Sequence, residues 1–195
     1  MGQEGHTNKN DKSVVSQFCS ESKLFFSMRY VLKIFLLLFL LGGISGRRST
    51  GRKRDDSPVR RTETGFKGRV EYAEAEIEPK HLDRGTKTNK RVRTYSKDMG
   101  YESDDAGHVI ARRLGGDGKD EKNIIPQNPS VNRGEWKKIE DLTYAEVKKT
   151  GKVKMQVEPI YSGEKSTRPK SIYYRISSKN GNRYKKVESG EVENR

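Results

Sequence analysis

The sequence predicts an α+β domain built around a small antiparallel sheet and one main helix. Three observations predict it. Two stretches, KVKMQVEPIY (152–161) and SIYYRIS (171–177), alternate apolar and polar residues as half-buried strands do. Between residues 135 and 149 nothing breaks a helix, and Trp136, Ile139, Leu142 and Val147 share one broad face. Between the earlier strands and that helix lies a long, glycine-rich centre without clear periodicity, the kind of segment that is usually functional when it is ordered.

Taken in order, RVEYAEAEIE (69–78) begins with strand-like alternation at Val70 and Tyr72, which then blurs. KRVRTYS (90–96) reads as a second short strand, and NIIPQ (123–127) as a short strand or extended loop ending at its proline. Asn132 and Gly134 mark the start of the helix and Gly151 its stop. The alternation of Val153, Met155 and Val157, then of Ile172, Tyr174 and Ile176, places two strands in succession. Asn180-Gly181 before RYKKV is a strong hairpin signal, so the chain closes as an antiparallel meander.

The front end reads differently. The uninterrupted apolar run 34–41 is shorter than the roughly 20 residues that span a bilayer. It matches a secretory hydrophobic region of roughly 7–15 residues, with Arg29 and Lys33 at its start and the small residues Gly43 to Gly46 behind it. Counting from Met28 gives a well-proportioned signal peptide; an uncleaved signal anchor is the competing reading. Residues 1–46 are therefore read as polar leader and hydrophobic signal, 47–64 as a basic flexible linker, and 65–195 as the folded domain. Secretion is the expected localisation, single-pass anchoring the alternative.

Net charge narrows the partners. The chain carries 41 basic and 27 acidic residues, a net of +14; five basic and three acidic ones precede Arg47, so the rest of the chain holds a net of +12. That surplus favours a polyanion, nucleic acid before an anionic membrane surface. Cys19 is the single cysteine, which excludes an intramolecular disulfide.

Four polar residues in the centre invite a joint explanation: His108, Asn123, Asn132 and Glu140. Eight residues on one helix correspond to about 80° of rotation and ~12 Å of rise, which lets Glu140 lean back toward Asn132 and hold a water on whatever Asn132 ligates. An amide ligand supported by a carboxylate through water suits Mg²⁺, which keeps several waters, better than zinc. An imidazole with an ordinary pKa of about 6.5, in a positive field, is mostly neutral at pH 7 and ready to take a proton from water. A base, a cation at the scissile phosphate and nearby arginines together describe phosphodiester hydrolysis. Each residue alone has a plainer reading: His108 as a turn histidine, Asn132 as an N-cap, Glu140 as a solvated charge, Asn123 as a loop anchor.

DDAGHVIARRLGG (104–116) and NIIPQNPSVNRGEWKKIE (123–140) together resemble the DNA/RNA non-specific endonuclease family, with its ββα-metal (His-Me finger) core. They look closest to its EssD-like nuclease-toxin branch. The resemblance implies His108 as general base, Asn132 as Mg²⁺ ligand and Glu140 as support for the metal's waters. It also implies that Asn123 shapes the site, with Mn²⁺ as an alternative ion. Where the family often has Asp-Arg-Gly-His, this chain has Ala106, and Arg112, Arg113 or Arg133 is expected to compensate. Asp83-Arg84-Gly85 imitates the motif, but Thr86 stands in the histidine's place and His81 reads as structural.

The expected function is thus a secreted, metal-dependent nuclease acting on DNA or RNA without sequence preference, with an inhibitor or immunity protein as a conceivable partner. Membrane contact is expected only through an uncleaved N-terminal segment. The alternatives are a non-catalytic polyanion-binding domain and a membrane-tethered interaction protein.

Overall fold

The computed structural model describes residues 56–195; the leader, the hydrophobic run and the stretch up to Asp55 lie outside the described residues. Five strands form one antiparallel sheet in the order β1-β2-β5-β6-β7. They are β1 (Val59–Thr64), β2 (Val70–Ile77), β5 (Val153–Ile160), β6 (Ser171–Asn180) and β7 (Arg183–Glu193). Strands β3 (Asp105–His108) and β4 (Ile124–Gln127) form a separate antiparallel pair. Among the described residues there are three α-helices, α1 (Lys90–Met99), α2 (Pro129–Arg133) and α3 (Glu135–Thr150), besides short 3-10 turns. Everything between β2 and β5 is an insertion between two neighbouring strands, so both ends of the site-bearing segment are pinned to one sheet.

The predicted meander is present. β5 and β6 pair from Val153 with Ser178 to Ile160 with Ser171, and the β6–β7 turn closes on the Asn180–Arg183 pair. Val153, Met155, Val157, Ile172 and Ile176 are fully buried, as their alternation requires. The blur in β2 has a local cause. Glu63 pairs with Tyr72 but Thr64 pairs with Val70, so Glu71 is an extra residue that shifts the inward face. Beyond the bulge Ala73, Ala75 and Ile77 point into the core.

α3 lays Trp136, Ile139, Thr143 and Val147 on the sheet, with Trp136 meeting Tyr174 edge-to-face at 6.2 Å. Fully burying side chains such as Val147 or Ile176 stabilises the fold by about 1.5–3 kcal/mol each.

Three expectations are corrected. The 90–96 segment is not a strand but the first seven of the ten residues of α1. Asn89 caps it by accepting a hydrogen bond from the Val92 amide, and Val92, Ser96 and Met99 are buried at helical spacing. The segment 47–64 is not linker throughout, because Val59–Thr64 pairs with β2 as an edge strand. Its faces are largely exposed, which leaves no hydrophobic alternation to read. The helix expected from Val131 onward is two helices broken at Gly134, where a side chain would collide with the Ser130 carbonyl. Estimates of rotation and rise for a single helix therefore do not relate Asn132 to Glu140.

Candidate active site

β3, β4 and α3 form the ββα arrangement, and each predicted residue sits on or beside it. His108 ends β3. Its backbone carbonyl accepts a hydrogen bond from Trp136 Nε1 at 3.2 Å, which ties the start of α3 to the end of β3. Its ring is held from the other side, with Nε2 3.0 Å from the Thr86 carbonyl oxygen. A carbonyl only accepts, so Nε2 carries the hydrogen and Nδ1 keeps its lone pair. Burial holds the imidazole pKa below its ordinary value, and the Arg112 charge adds to that; the Thr86 bond and Asp117 act against it. A neutral, oriented imidazole with a free Nδ1 can accept a proton from water.

Thr86 does more than offer its carbonyl. Its hydroxyl bonds Asp117 and accepts from the Gly118 amide at 2.9 Å, which fixes the loop against the imidazole. Gly118 has no room for a side chain: a Cβ would lie 2.5 Å from both His108 Nε2 and the Thr86 oxygen. Gly118→Ala is therefore expected to lower kcat by about 10²-fold through a misplaced ring, with KM for nucleic acid little changed. Steady-state cleavage kinetics check this, and an unchanged kcat would mean that the Thr86 bond does not set the base.

Asn132 lies inside α2, whose cap is Asn128; Asn128 Oδ1 accepts from the Ser130 amide at 2.8 Å. Asn132 is thus not an N-cap. Its Nδ2 donates to Asp105 Oδ2 at 3.0 Å, which assigns the amide and leaves Oδ1 as an oxygen donor for a cation. Asp105 also accepts two bonds from Arg133, at 2.9 and 2.7 Å. Asp105 is therefore what orients Asn132, a role the Asp-x-Gly-His motif itself contained but that spacing alone did not reveal.

Glu140 is half-buried on α3 and forms no ion pair or hydrogen bond through its carboxylate among the described residues. Desolvation pushes its pKa up to about 7, against the pull of Lys137 and Arg113. A desolvated carboxyl of this kind gains from any nearby cation. Among the described residues, no three His, Cys, Asp or Glu side chains gather into a cation cage. The donor chemistry of one amide oxygen and one carboxylate would suit hydrated Mg²⁺ and does not suit a structural zinc.

Asn123 is buried and fully engaged with backbone. Its Oδ1 accepts from the Ile110 amide at 2.8 Å, and its Nδ2 donates to Ile110 O at 3.0 Å and Asp117 O at 3.2 Å. It clamps the loop behind His108 and has no polar group left for substrate, so it positions and does not react. Gly107 sits within β3 with the Gln127 side chain occupying the space of its missing Cβ, so it makes room for a neighbouring side chain, not for substrate.

The three arginines differ. Arg113 bonds Asp141 and lies 4.1 Å over the Tyr144 ring, while Arg133 is committed to Asp105. Arg112 is exposed and close enough to His108 to lower its pKa, with no ion pair among the described residues. His81 is buried and structural: its Nδ1 accepts from the Glu78 amide at 2.9 Å. Thr86, which stands where the imitation motif would need a histidine, proves to be the residue that holds the real one.

A match to the DNA/RNA non-specific endonuclease family covers residues 53–180. The chain belongs to that family. Among curated proteins, the probable deoxyribonuclease RhsA of Dickeya dadantii (strain 3937) is 34% identical over 112 residues, 57% of this chain. Those residues amount to 8% of RhsA, so the chain spans only a small part of that relative. Among solved structures, NucA from Streptococcus agalactiae with bound magnesium is similar at TM-score 0.51 and 15% identity, over 76% of this chain and 78% of that one. The Sda1 nuclease with bound zinc is similar at TM-score 0.54 and 16% identity, over 70% of this chain and 75% of that one. At such identities the likeness concerns the fold, and it agrees with the ββα-metal architecture of this endonuclease-family chain.

Proposed function

We propose that this chain is a secreted, Mg²⁺-dependent endonuclease that hydrolyses phosphodiester bonds of DNA or RNA without sequence preference. The observation that carries the reading is the His108 ring, bound at Nε2 by Thr86 and left with a free Nδ1 beside the elements that carry Asn132 and Glu140. His108 Nδ1 takes a proton from water, the resulting hydroxide forms a bond to phosphorus, and the P–O bond to the leaving oxygen breaks, that oxygen keeping the electron pair and taking a proton from solvent. Asn132 Oδ1 and, through water, Glu140 would hold the ion, which when bound supplies positive charge to the phosphate and the leaving oxygen. Asp105 keeps Asn132 oriented, Asn123 and Thr86 keep His108 oriented, and Arg112 is the exposed cation best placed to meet a phosphate in place of the arginine that Ala106 lacks.

RhsA is described as a deoxyribonuclease, which favours DNA among the substrates. Kinship with the EssD-like branch, an inhibitor or immunity partner, a cleaved leader ending near Gly46 and Mn²⁺ as a substitute ion belong to the same proposal. No helix among the described residues is long and apolar enough to cross a membrane. Backbone contacts should dominate binding, so affinity should fall steeply with salt. The test is incubation of the full chain with supercoiled plasmid and with RNA, in Mg²⁺ or in EDTA. Cleavage in Mg²⁺ that stops in EDTA is expected. Intact nucleic acid in every metal, with tight retention on a gel, would instead mark a polyanion-binding domain.

A further inference from the structure

The family match ends at residue 180, yet residues beyond it reach back to the site. Asn194 is buried at 2% exposure. Its side-chain oxygen accepts from the Asn128 amide at 2.8 Å, and its Nδ2 donates to Pro126 O at 3.0 Å and Pro169 O at 2.9 Å. Its own amide donates to the Lys170 carbonyl at 2.8 Å. Two of these four bonds hold the corner between β4 and α2, and the other two hold the loop just before β6. Arg168 joins the same cluster. It donates to the Asn194 carbonyl at 2.6 Å and grips the buried Asp104 carboxylate through bonds of 2.7 and 3.0 Å. Asp104 directly precedes Asp105, which orients Asn132.

α2 has five residues, too few to hold its own place, because a single turn of helix gains little from its internal bonds. Its position is set by its cap, Asn128, and by whatever fixes Asn128. The Asn132 amide bonds the Asn128 carbonyl at 2.9 Å, so a shift at the cap is passed to the ligand one turn on. An apolar residue at position 194 would anchor the chain end equally well by burial. Directed side-chain bonds, two on that corner and one on the loop beside it, do something burial cannot, which is to fix the corner's angle and register.

We propose that Asn194 is a positioning residue for the metal site: it locks the β4–α2 corner so that Asn132 presents its amide oxygen to the cation. The proposal rests on the reading of Asn132 as metal ligand. Groups that orient a ligand from behind typically change metal affinity by about 10–100-fold when removed.

The test measures Mn²⁺ binding to the full chain without nucleic acid, by the loss of the free-ion signal in electron paramagnetic resonance. Asn194→Ala is expected to weaken Mn²⁺ binding by about 10-fold. Asn194→Ser carries the same expectation where the alanine variant fails to fold. Asn194→Asp keeps the acceptor for the Asn128 amide but sets a buried carboxylate oxygen against the Pro126 and Pro169 carbonyls, so it too should weaken Mn²⁺ binding. Val192→Ala, a buried change in β7 outside the clamp, should lower Tm and leave Mn²⁺ binding alone. Parent-like binding in Asn194→Ala, or equal weakening in Val192→Ala, would overturn the proposal. Asn132→Ala in the same assay separates the two readings. If it abolishes binding while Asn194→Ala does nothing, only the positioning role fails; if it too binds normally, the ligand assignment fails with it.

Discussion

His108→Ala is expected to reduce cleavage of both plasmid and RNA by about 10²–10⁴-fold, the range typical of a lost general base. The variant should fold, because the ring's single side-chain bond is to the Thr86 carbonyl and the tie to Trp136 runs through the His108 backbone. Nucleic-acid binding should persist, since the basic side chains proposed to meet phosphate are untouched. The readout is kcat together with retention on a gel: kcat collapses and retention does not. Loss of retention in step with activity would place His108 in substrate binding instead of proton transfer.

Asn132→Ala should be nearly as damaging, by a different route. It removes the amide oxygen assigned to the cation and frees Asp105 of one of its hydrogen bonds. At low Mg²⁺ activity should fall by about 10²-fold or more, and raising Mg²⁺ should restore part of it, which no amount of metal does for His108→Ala. Asn132→Asp offers a carboxylate oxygen in the same place but sets it against Asp105, so it should retain metal binding less well than its charge alone suggests. Cleavage measured across a Mg²⁺ titration distinguishes these outcomes. Identical Mg²⁺ curves for parent and Asn132→Ala would remove Asn132 from the metal site.

Much of this was legible in the sequence because its signals are local. The alternation in β5 and β6 survives because each strand has one buried face, and the Asn180-Gly181 turn pairs β6 with β7. His108, Asn132 and Glu140 were legible as residue types at suggestive spacing. What spacing could not show was which carbonyl holds the imidazole, since Thr86 lies 22 residues away from His108 and contributes only backbone to that bond. Nor could it show Asn194, 66 residues from the cap it fixes. α1 imitates a strand in a short window because only Val92, Ser96 and Met99 are buried and most of its other positions are charged. β1 was missed for the converse reason: an edge strand held by backbone pairing leaves no apolar trace.

Whether neutral His108 is the base is tested most directly by the pH dependence of kcat/KM at saturating Mg²⁺. A base works only when unprotonated, and burial holds this imidazole below its ordinary value of about 6.5. On the proposed reading, Mg²⁺ held through water beside Glu140 would keep that carboxyl ionised, so its titration would drop out of the profile at saturating Mg²⁺. The rate should therefore be level from neutral pH upward and fall about tenfold per pH unit on acidification, with a midpoint below 6.5. The residual activity of His108→Ala should lack that limb. An acid limb that survives unchanged in His108→Ala would contradict the assignment of the base.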